Sequence, residues 1–330
     1  MFNSIFENDA LWNRRQVLQA AGVLAAGAGF VHTAQAAAAG EPPAKKATAL
    51  MRIGILSGTI RRPTVEATLD AIQAHGLSCV QLSLDCAGLS ALPDHIAPEL
   101  ADRIRQAAAA RGIEIAAVQG TFNMSHPDEA ERRAGLRRLR VLASACQRLG
   151  TSYVHLCTGT RDRGNMWRRH ADNDSSEAWR DMAGCVREAT EIARQTNVIL
   201  AFEPEVNNVV DSAKKARRLL DEIGSPHLKV TMDAANIFHA GELARMREVL
   251  DEAFALVGKD IVLAHAKDLS RDGDAGHEAA GRGRLDYDRY LSLLHASGFR
   301  GPLLLHGLGE SQVPGCVAFL REKLARVAST

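Results

Sequence analysis

The strongest constraint on the fold of this chain is the alternation, from residue 51 onward, of short apolar runs with longer amphipathic ones. Near-continuous apolar runs are typical of a parallel sheet buried on both faces, and strands alternating with helices are typical of βαβ units. We predict strands over residues 52–57, 78–84, 113–119, 153–157, 198–203, 228–233, 261–266 and 302–306. We predict the helices that follow them over residues 64–75, 98–111, 127–149, 175–196, 212–223, 242–257, 287–297 and 312–327.

Eight strand–helix units are the number that closes a (β/α)₈ TIM barrel, an α/β fold in a single domain. We place this domain at residues 51–328, since barrels of this kind commonly run to about 250 residues or more. Several of the predicted helices end at a glycine, which is typical of helix C-termini. The alternative is an open, doubly wound sheet, but no glycine-rich dinucleotide motif follows the first predicted strand.

Residues 1–37 resemble a twin-arginine signal peptide. Arg14 and Arg15 precede a mildly apolar run at 20–31, and the Ala34-Gln35-Ala36 segment supplies the small residues that a signal peptidase accepts. A membrane anchor or a first helix of the fold is the alternative, but the run has about a dozen residues where a span needs ~20. We therefore expect recognition by the twin-arginine export machinery, a periplasmic or otherwise exported protein, no stable membrane span, and a linker over residues 38–50.

The charge balance excludes one class of partner. Lys and Arg number 40 against 39 Asp and Glu, which gives a net charge of +1. Nucleic-acid binding needs concentrated Lys and Arg to neutralise phosphates, and no basic run interleaved with aromatic residues occurs. We therefore expect a small-molecule ligand and no nucleic acid, while the sequence leaves the oligomeric state open, a homo-oligomer included.

The ends of four consecutive predicted strands carry residues of metal-ligand type: Glu203, Asp233, His265 and His306. In a (β/α)₈ barrel the active site lies at the C-terminal strand ends. A single acid or His there more often hydrogen-bonds its own loop, but four converging in an apolar barrel would stay unsatisfied without a cation. We predict a shared divalent metal. Two carboxylates with two imidazoles favour Mn, Co, Fe or Zn over Mg, which prefers oxygen ligands.

Further candidates follow from strand periodicity and from the loops. Side chains two apart on a strand face the same way, so we expect Glu205 beside Glu203 and Lys267 beside His265. Lys267 is equally compatible with a structural ion pair and with neutralising substrate oxyanions. We expect Asn236, after the sixth strand, to contact substrate, together with Arg271 in a charged, glycine-rich stretch, 268–283, that reads as a flexible active-site loop.

Loops after the third and fourth strands add three candidate substrate contacts. Asn123 and His126 lie in the segment that follows the third strand, where His126 could instead cap the next helix. Trp167 lies on the long loop after the fourth strand. An exposed Trp can stack on a sugar ring, although a Trp that packs its own loop is the commoner case.

Four segments of the chain resemble the xylose-isomerase-like TIM barrels, a superfamily of sugar isomerases and epimerases, dehydratases and a metal-dependent endonuclease. These segments are Ala201-Phe202-Glu203-Pro204-Glu205, Met232-Asp233-Ala234-Ala235-Asn236, Ala264-His265-Ala266-Lys267-Asp268, and the closing unit from Gly281 to Leu303. The resemblance implies a metal held by the strand ends and chemistry on a sugar. The endonuclease branch fits poorly, because the resemblance implies a three-metal cluster and a basic groove, and the chain offers neither pattern.

The resemblance breaks at the eighth strand. Sugar epimerases of this superfamily usually end that strand with a second metal-binding Glu, which works with the fifth-strand Glu as an acid–base pair. Here the matching position is His306. An imidazole can bind a metal and transfer protons near neutral pH, but its shape differs from that of a carboxylate.

The resemblance implies a metal-dependent sugar isomerase or epimerase that acts on a keto-sugar or sugar derivative through an enediolate. We assign Glu203 and His306 as proton-transfer groups and Lys267 as a stabiliser of negative charge, helped by Arg271. One alternative is an exported keto-glycoside lyase or dehydratase with the same metal site. Another is a sugar-binding barrel without turnover, and washing solvent deuterium into a keto-sugar distinguishes an enzyme from such a module.

Overall fold

The computed structural model describes residues 51–327, and within them eight parallel strands close into a barrel. Each strand pairs in parallel with the strand before and after it, and the last pairs with the first, which closes the cylinder. This confirms the predicted (β/α)₈ TIM barrel. The strands are β1 Arg52–Leu56, β2 Cys79–Leu82, β3 Glu114–Gln119, β4 Tyr153–Cys157, β5 Ile199–Glu203, β6 Leu228–Asp233, β7 Ile261–Asp268 and β8 Pro302–Leu305.

A helix follows each strand and covers the outside of the barrel. The helices are α1 Val65–Ala74, α2 Pro98–Ala109, α3 Glu129–Leu149, α4 Ser176–Thr196, α5 Ala213–Ile223, α6 Met246–Val257, α7 Tyr287–Ala296 and α8 Val313–Val327. Side-chain caps begin several of them, as when the Ser175 hydroxyl accepts a hydrogen bond from the Ala178 amide. The helix α3 ends at Gly150 with φ of 85°, a left-handed conformation that glycine adopts without strain.

Two apolar layers support the barrel. The larger lies between strands and helices, where the helices bury one face against the sheet. The smaller fills the barrel interior and is made of compact side chains, among them Ala116, Ala117 and Ala201, with Leu263 and Leu304. Small interior residues let polar side chains at the C-terminal strand ends approach one another above this layer.

Two elements differ from the sequence-based prediction. The strand β7 runs on to Asp268 and pairs antiparallel with a two-residue strand, Glu278–Ala279, in the stretch that we expected to be flexible. The buried Asp268 carboxylate accepts hydrogen bonds from the amides of Leu269, Gly281 and Leu285, so both ends of this loop are attached to one side chain. The helix α6 begins at Met246 rather than at 242, because a single 3₁₀ turn, Leu243–Arg245, precedes it.

No helix within residues 51–327 combines the length and the apolar character that a membrane span requires. The predicted signal peptide at 1–37 and the linker at 38–50 lie outside the described residues, as does residue 328 of the predicted barrel domain.

Candidate metal centre and substrate cavity

The barrel brings together the four residues predicted as metal ligands. Asp233 and His265 are register partners on neighbouring strands, and His306 directly follows β8. The His265 Nδ1 lies 3.3 Å from Glu203 Oε2 and 3.6 Å from Asp233 Oδ2. The His306 Nδ1 lies 3.5 Å from the same Asp233 oxygen. The sequence analysis therefore predicted which side chains converge, because parallel strands end at one face of the barrel.

Three of these ligand-type atoms are buried without a hydrogen-bond partner: Asp233 Oδ2, His265 Nδ1 and His306 Nδ1. Leaving a buried polar atom unsatisfied costs about 1–3 kcal/mol, so a cluster of them is unfavourable in the protein alone. Two ligand atoms bound about 2.0–2.1 Å from a tetrahedral ion lie roughly 3.4 Å apart, which matches these separations. The donor set and its unsatisfied atoms fit a divalent transition metal.

A chain of side-chain amides orients His265 from behind. The His265 Nε2 lies 3.0 Å from Gln81 Oε1, the Gln81 amide donates to Gln119 Oε1 at 2.6 Å, and the Gln119 amide donates to the Thr121 hydroxyl at 2.9 Å. Because each amide donates away from the histidine, the Gln81 oxygen accepts from His265 Nε2. The other ring nitrogen, Nδ1, is thereby directed at the carboxylates. Gln81, one residue before the end of β2, and Gln119, the last residue of β3, could not be recognised from the sequence, since a glutamine is not a residue of metal-ligand type and neither lies in a motif.

The carboxylates and His265 influence one another strongly. Burial alone would lower the pKa of His265, but the charges of Glu203 and Asp233 raise this pKa to about 9. Burial likewise opposes ionisation of Glu203, and the neighbouring His265 charge nevertheless holds the Glu203 pKa below its usual range. A cation is thus strongly preferred at the centre of this cluster, whether it is a proton or a metal ion.

Asn236 and Lys267 lie beside the cluster. The Asn236 amide donates to Glu203 Oε1, and its oxygen accepts from the Gly276 amide at 2.8 Å. Asn236, which we expected to contact substrate, therefore holds the Glu203 carboxylate in place. The buried Lys267 places Nζ 3.5 Å from Asp233 Oδ2. Burial lowers the Lys267 pKa, but Asp233 and the two glutamates more than compensate and raise it, so the ammonium stays charged at neutral pH.

Glu205 lies in the barrel mouth, as strand alternation predicted. Its Oε2 accepts a hydrogen bond from Asn208 at 3.0 Å, and its buried Oε1 has no partner. Burial, with the charge of Glu203, raises the pKa of Glu205 to about 7. The side chain thus offers a carboxyl group that is partly protonated near neutral pH.

Two residues of β4 belong to the site although sequence analysis did not single them out. The His155 Nδ1 lies 3.1 Å from the Thr231 hydroxyl, which itself donates to the Ala201 carbonyl. His155 Nε2 is therefore the unprotonated nitrogen, 3.5 Å from Glu203 Oε2 and 3.9 Å from Cys157 Sγ. Burial lowers the pKa of His155 to about 3, which keeps this imidazole neutral. The strand register could have indicated these two residues, since Cys157 is the register partner of Glu203 on the neighbouring strand.

Asn123 and His126, two of the predicted substrate contacts, make contacts within the loops instead. The Asn123 amide donates to the Thr160 carbonyl at 2.9 Å, and its oxygen accepts from the Thr160 amide at 3.0 Å, so Asn123 joins two loops. His126 Nδ1 accepts from the Asp128 amide at 3.1 Å, and Asp128, not His126, caps α3.

Trp167 and Arg271, two further predicted substrate contacts, lie at the surface. Trp167 is 47% exposed on the loop after β4. The Arg271 side chain is 65% exposed and lies 3.8 Å from Asp274. Neither residue lines the cavity beside the metal cluster, because long loops carry them outward.

A cavity of about 530 Å³ opens beside the cluster, between the ends of β1, β2, β3 and β8. His306 forms part of its wall, so the cavity reaches the ligand cluster directly. Its size is that of an ordinary small-molecule site. The lining residues are Leu56, Gly58, Thr59, Gln81, Ser83, Asp85, Gln119, His306, Gly307, Leu308, Gly309 and Gln312.

A closed parallel barrel with carboxylates and imidazoles that converge at its C-terminal mouth is a TIM barrel with a candidate metal site, and sequence comparison specifies the family. Residues 69–322 match the family described as xylose isomerase-like TIM barrel, and the chain belongs to it. Over 190 residues it is 26% identical to the L-ribulose-5-phosphate 3-epimerase UlaE of Escherichia coli. This stretch is 58% of the present chain and 62% of that enzyme, which is less than two thirds of the relative.

Solved structures share the fold at lower identity. The 3-keto-D-glucoside 4-epimerase YcjR from E. coli superposes with a TM-score of 0.63 at 15% identity, over 82% of this chain and 99% of that one. The IOLI protein with a bound zinc atom superposes with a TM-score of 0.63 at 18% identity, over 84% and 98% of the two chains. At these identities the likeness shows the fold alone.

Proposed function

We propose that this protein is a metal-dependent sugar isomerase or epimerase that acts on a keto-sugar or sugar derivative through an enediolate. The observation that carries the proposal is the set of three unsatisfied atoms, Asp233 Oδ2, His265 Nδ1 and His306 Nδ1, in a cluster that meets the cavity through His306. Family membership and the epimerase relative support sugar chemistry of this kind.

Glu203, Asp233, His265 and His306 would hold the metal. A divalent ion bound there would polarise the substrate carbonyl and acidify the neighbouring C–H bond. The donor set favours Mn, Co, Fe or Zn over Mg, since two of the four ligands are imidazoles.

The chain's own groups would move the proton and stabilise charge. Glu203, oriented by Asn236, can accept the proton from carbon. The part of His306 that is not buried against Asp233 forms the cavity wall, where its imidazole can return a proton. The charged Lys267 ammonium, buried beside Asp233, stabilises the negative charge that develops on the substrate oxygens.

Elimination is the second candidate, and a specific observation favours it. The eighth strand is followed by His306, so no second carboxylate stands opposite Glu203 at that position. An acid–base pair made of a carboxylate and an imidazole suits loss of a β-hydroxyl or β-alkoxyl group from the enediolate. The protein would then be a keto-glycoside lyase or dehydratase with the same first proton abstraction.

Solvent deuterium exchange tests the shared first step. Keto-sugars incubated with Mn²⁺-loaded protein in D₂O should acquire deuterium at the carbon next to the carbonyl, as measured by mass spectrometry. Glu203→Gln should abolish exchange, while Glu252→Gln, a matched change at an exposed glutamate that pairs with Lys214, should leave it intact. Binding of a keto-sugar without any exchange would contradict the enzyme and favour a sugar-binding barrel.

We also propose export through the twin-arginine route, on the evidence of Arg14, Arg15 and the apolar run that follows them. Replacing both arginines with lysine should leave a fused reporter in the cytoplasm. Undiminished export of the wild-type fusion in a strain that has only the general secretory route would contradict this assignment.

A further inference from the structure

The cavity beside the metal cluster is lined without Lys or Arg, and the nearby Lys267, which packs behind Gly307, directs its ammonium at Asp233. None of its twelve lining residues is Lys or Arg, and one, Asp85, is acidic. Phosphate esters are normally held by Arg, Lys or free backbone amides, because the group carries nearly two negative charges. Hydroxyl and amide groups, supplied here by Thr59, Ser83 and Gln312, suit neutral sugar hydroxyls instead.

At the place where (β/α)₈ barrels commonly bind phosphate, one backbone amide of this chain is already bonded to a side chain of the protein. That place lies at the loops after the seventh and eighth strands and the helix N-terminus nearby, where free amides point at the anion. Here the Gly309 amide donates to the Gln312 side-chain oxygen at 2.8 Å, and the Gln312 amide donates to the Gly309 carbonyl at 3.0 Å. Gln312 therefore occupies the amide that a phosphate would need.

The cation nearest to this turn is also engaged. Arg62, from the loop after β1, forms a two-pronged hydrogen bond with Glu310, at 3.0 Å and 2.6 Å. Both Glu310 oxygens are thus directed at the guanidinium, and Glu310 also lies 3.6 Å from His75 Nε2. A phosphate arriving here would compete with the Glu310 carboxylate for Arg62 and would face Asp85 across the cavity.

We infer that the substrate is an uncharged keto-sugar or keto-glycoside, and that this cavity selects against a phosphate ester. The inference rests on the proposed function for the identity of the reacting sugar. It separates this chain from its relative named for L-ribulose 5-phosphate, with which it shares 26% identity. Asp85 would accept hydrogen bonds from sugar hydroxyls, and Gln312 would both donate to and accept from them.

Calorimetry on Mn²⁺-loaded protein with two matched ligand pairs tests this selectivity. The pairs are L-ribulose with its 5-phosphate and methyl 3-keto-β-D-glucopyranoside with its 6-phosphate. In each pair that shows binding, the neutral member should bind at least about tenfold more tightly than its phosphate ester, because a second anion beside Asp85 and Glu310 is repelled. Tighter binding of either ester, or no binding of either neutral sugar, would overturn the inference.

A variant designed to gain affinity for phosphate esters tests whether the turn at Gly309–Gln312 causes the selectivity. The double change Glu310→Gln with Gln312→Ser should release Arg62 and the Gly309 amide. The affinity for the phosphate esters should therefore rise several-fold, and the affinity for neutral sugars should change less. Glu322→Gln, which removes an equal charge from an exposed ion pair on α8, is the control. Equal effects of the two variants on ester affinity would contradict the assigned role of the turn.

The binding experiment tests the selectivity and the deuterium exchange tests the enzymatic activity, so either prediction can be contradicted without the other. A preference for neutral sugars without exchange would remove the enzymatic proposal and leave the selectivity intact. Exchange with a phosphate ester preferred would remove the selectivity alone.

Discussion

At the scale of single residues, the site is defined by atoms that lack a partner. Asp233 Oδ2 has three neighbours within 3.6 Å, the nearest nitrogens of His265, His306 and Lys267, yet it accepts no hydrogen bond within the described structure. Lone pairs directed at a shared, buried point are costly unless a cation lies between them. We therefore propose that these residues bind an ion.

His306 tests the assignment at the eighth strand. His306→Ala should weaken metal binding strongly, since it removes one of four ligands, and equilibrium dialysis with Mn²⁺ or Zn²⁺ measures the loss. His306→Glu should retain the metal, because a carboxylate suits the same ions. The Glu variant should also raise epimerisation relative to elimination, since it restores a paired carboxylate.

Tight metal binding by the Ala variant would show that the histidine only contacts its own loop. A Glu variant that binds metal but produces no change in product ratio would separate the ligand role of His306 from its proposed role in proton transfer.

Gln81 tests the orientation of His265. Gln81→Leu removes the acceptor of the His265 Nε2 hydrogen bond and should lower metal affinity by roughly 10- to 100-fold, as changes to residues behind a ligand commonly do. Gln106→Leu, at an exposed position of α2, is the matched control. Unchanged affinity in both variants would show that the amide chain does not orient the ligand.

At the scale of elements, the barrel could be predicted well because each strand and helix is marked by a pattern within its own short stretch of sequence. The length and spacing of the apolar runs predicted all eight strands. Because parallel strands end at one face of the barrel, the same pattern predicted that Glu203, Asp233 and His265 lie together. Side chains inside strands were missed, as with His155, since only register shows that they point at the site. The contacts of loop residues such as Asn123 and Trp167 could not be derived from the sequence, because long loops have no periodicity from which the direction of a side chain follows.

The loop after β7 carries a prediction of its own. Asp268→Ala leaves the amides of Leu269, Gly281 and Leu285 without their acceptor and should lower the free energy of unfolding by about 2–4 kcal/mol. Urea denaturation measures this change. Asp288→Ala, at an exposed ion pair with Lys323, should cost much less, and equal costs would contradict the anchoring role of Asp268.

At the scale of the whole molecule, the residues that stabilise the barrel and those of the candidate site lie in different parts of the fold. Helices and an interior of small apolar residues support the strands from below and outside, while the candidate ligands, the proposed base and the cavity lie at the C-terminal ends. This arrangement allows one fold to serve isomerisation, epimerisation or elimination, according to a few side chains at the mouth. We propose that in this chain His306 determines the reaction and that the turn at Gly309–Gln312 determines the substrate.

The metal content of the purified protein is the sharpest test of the proposed metal site. Elemental analysis of protein isolated without added chelator should find about one transition-metal ion per chain, and Asp233→Asn should lose that ion while Asp288→Asn keeps it. Removing the metal should lower the melting temperature of the wild type, and adding it back should restore it. Wild-type protein that contains no transition metal, and whose melting temperature is unchanged by Mn²⁺, Co²⁺, Fe²⁺ or Zn²⁺, would contradict the account.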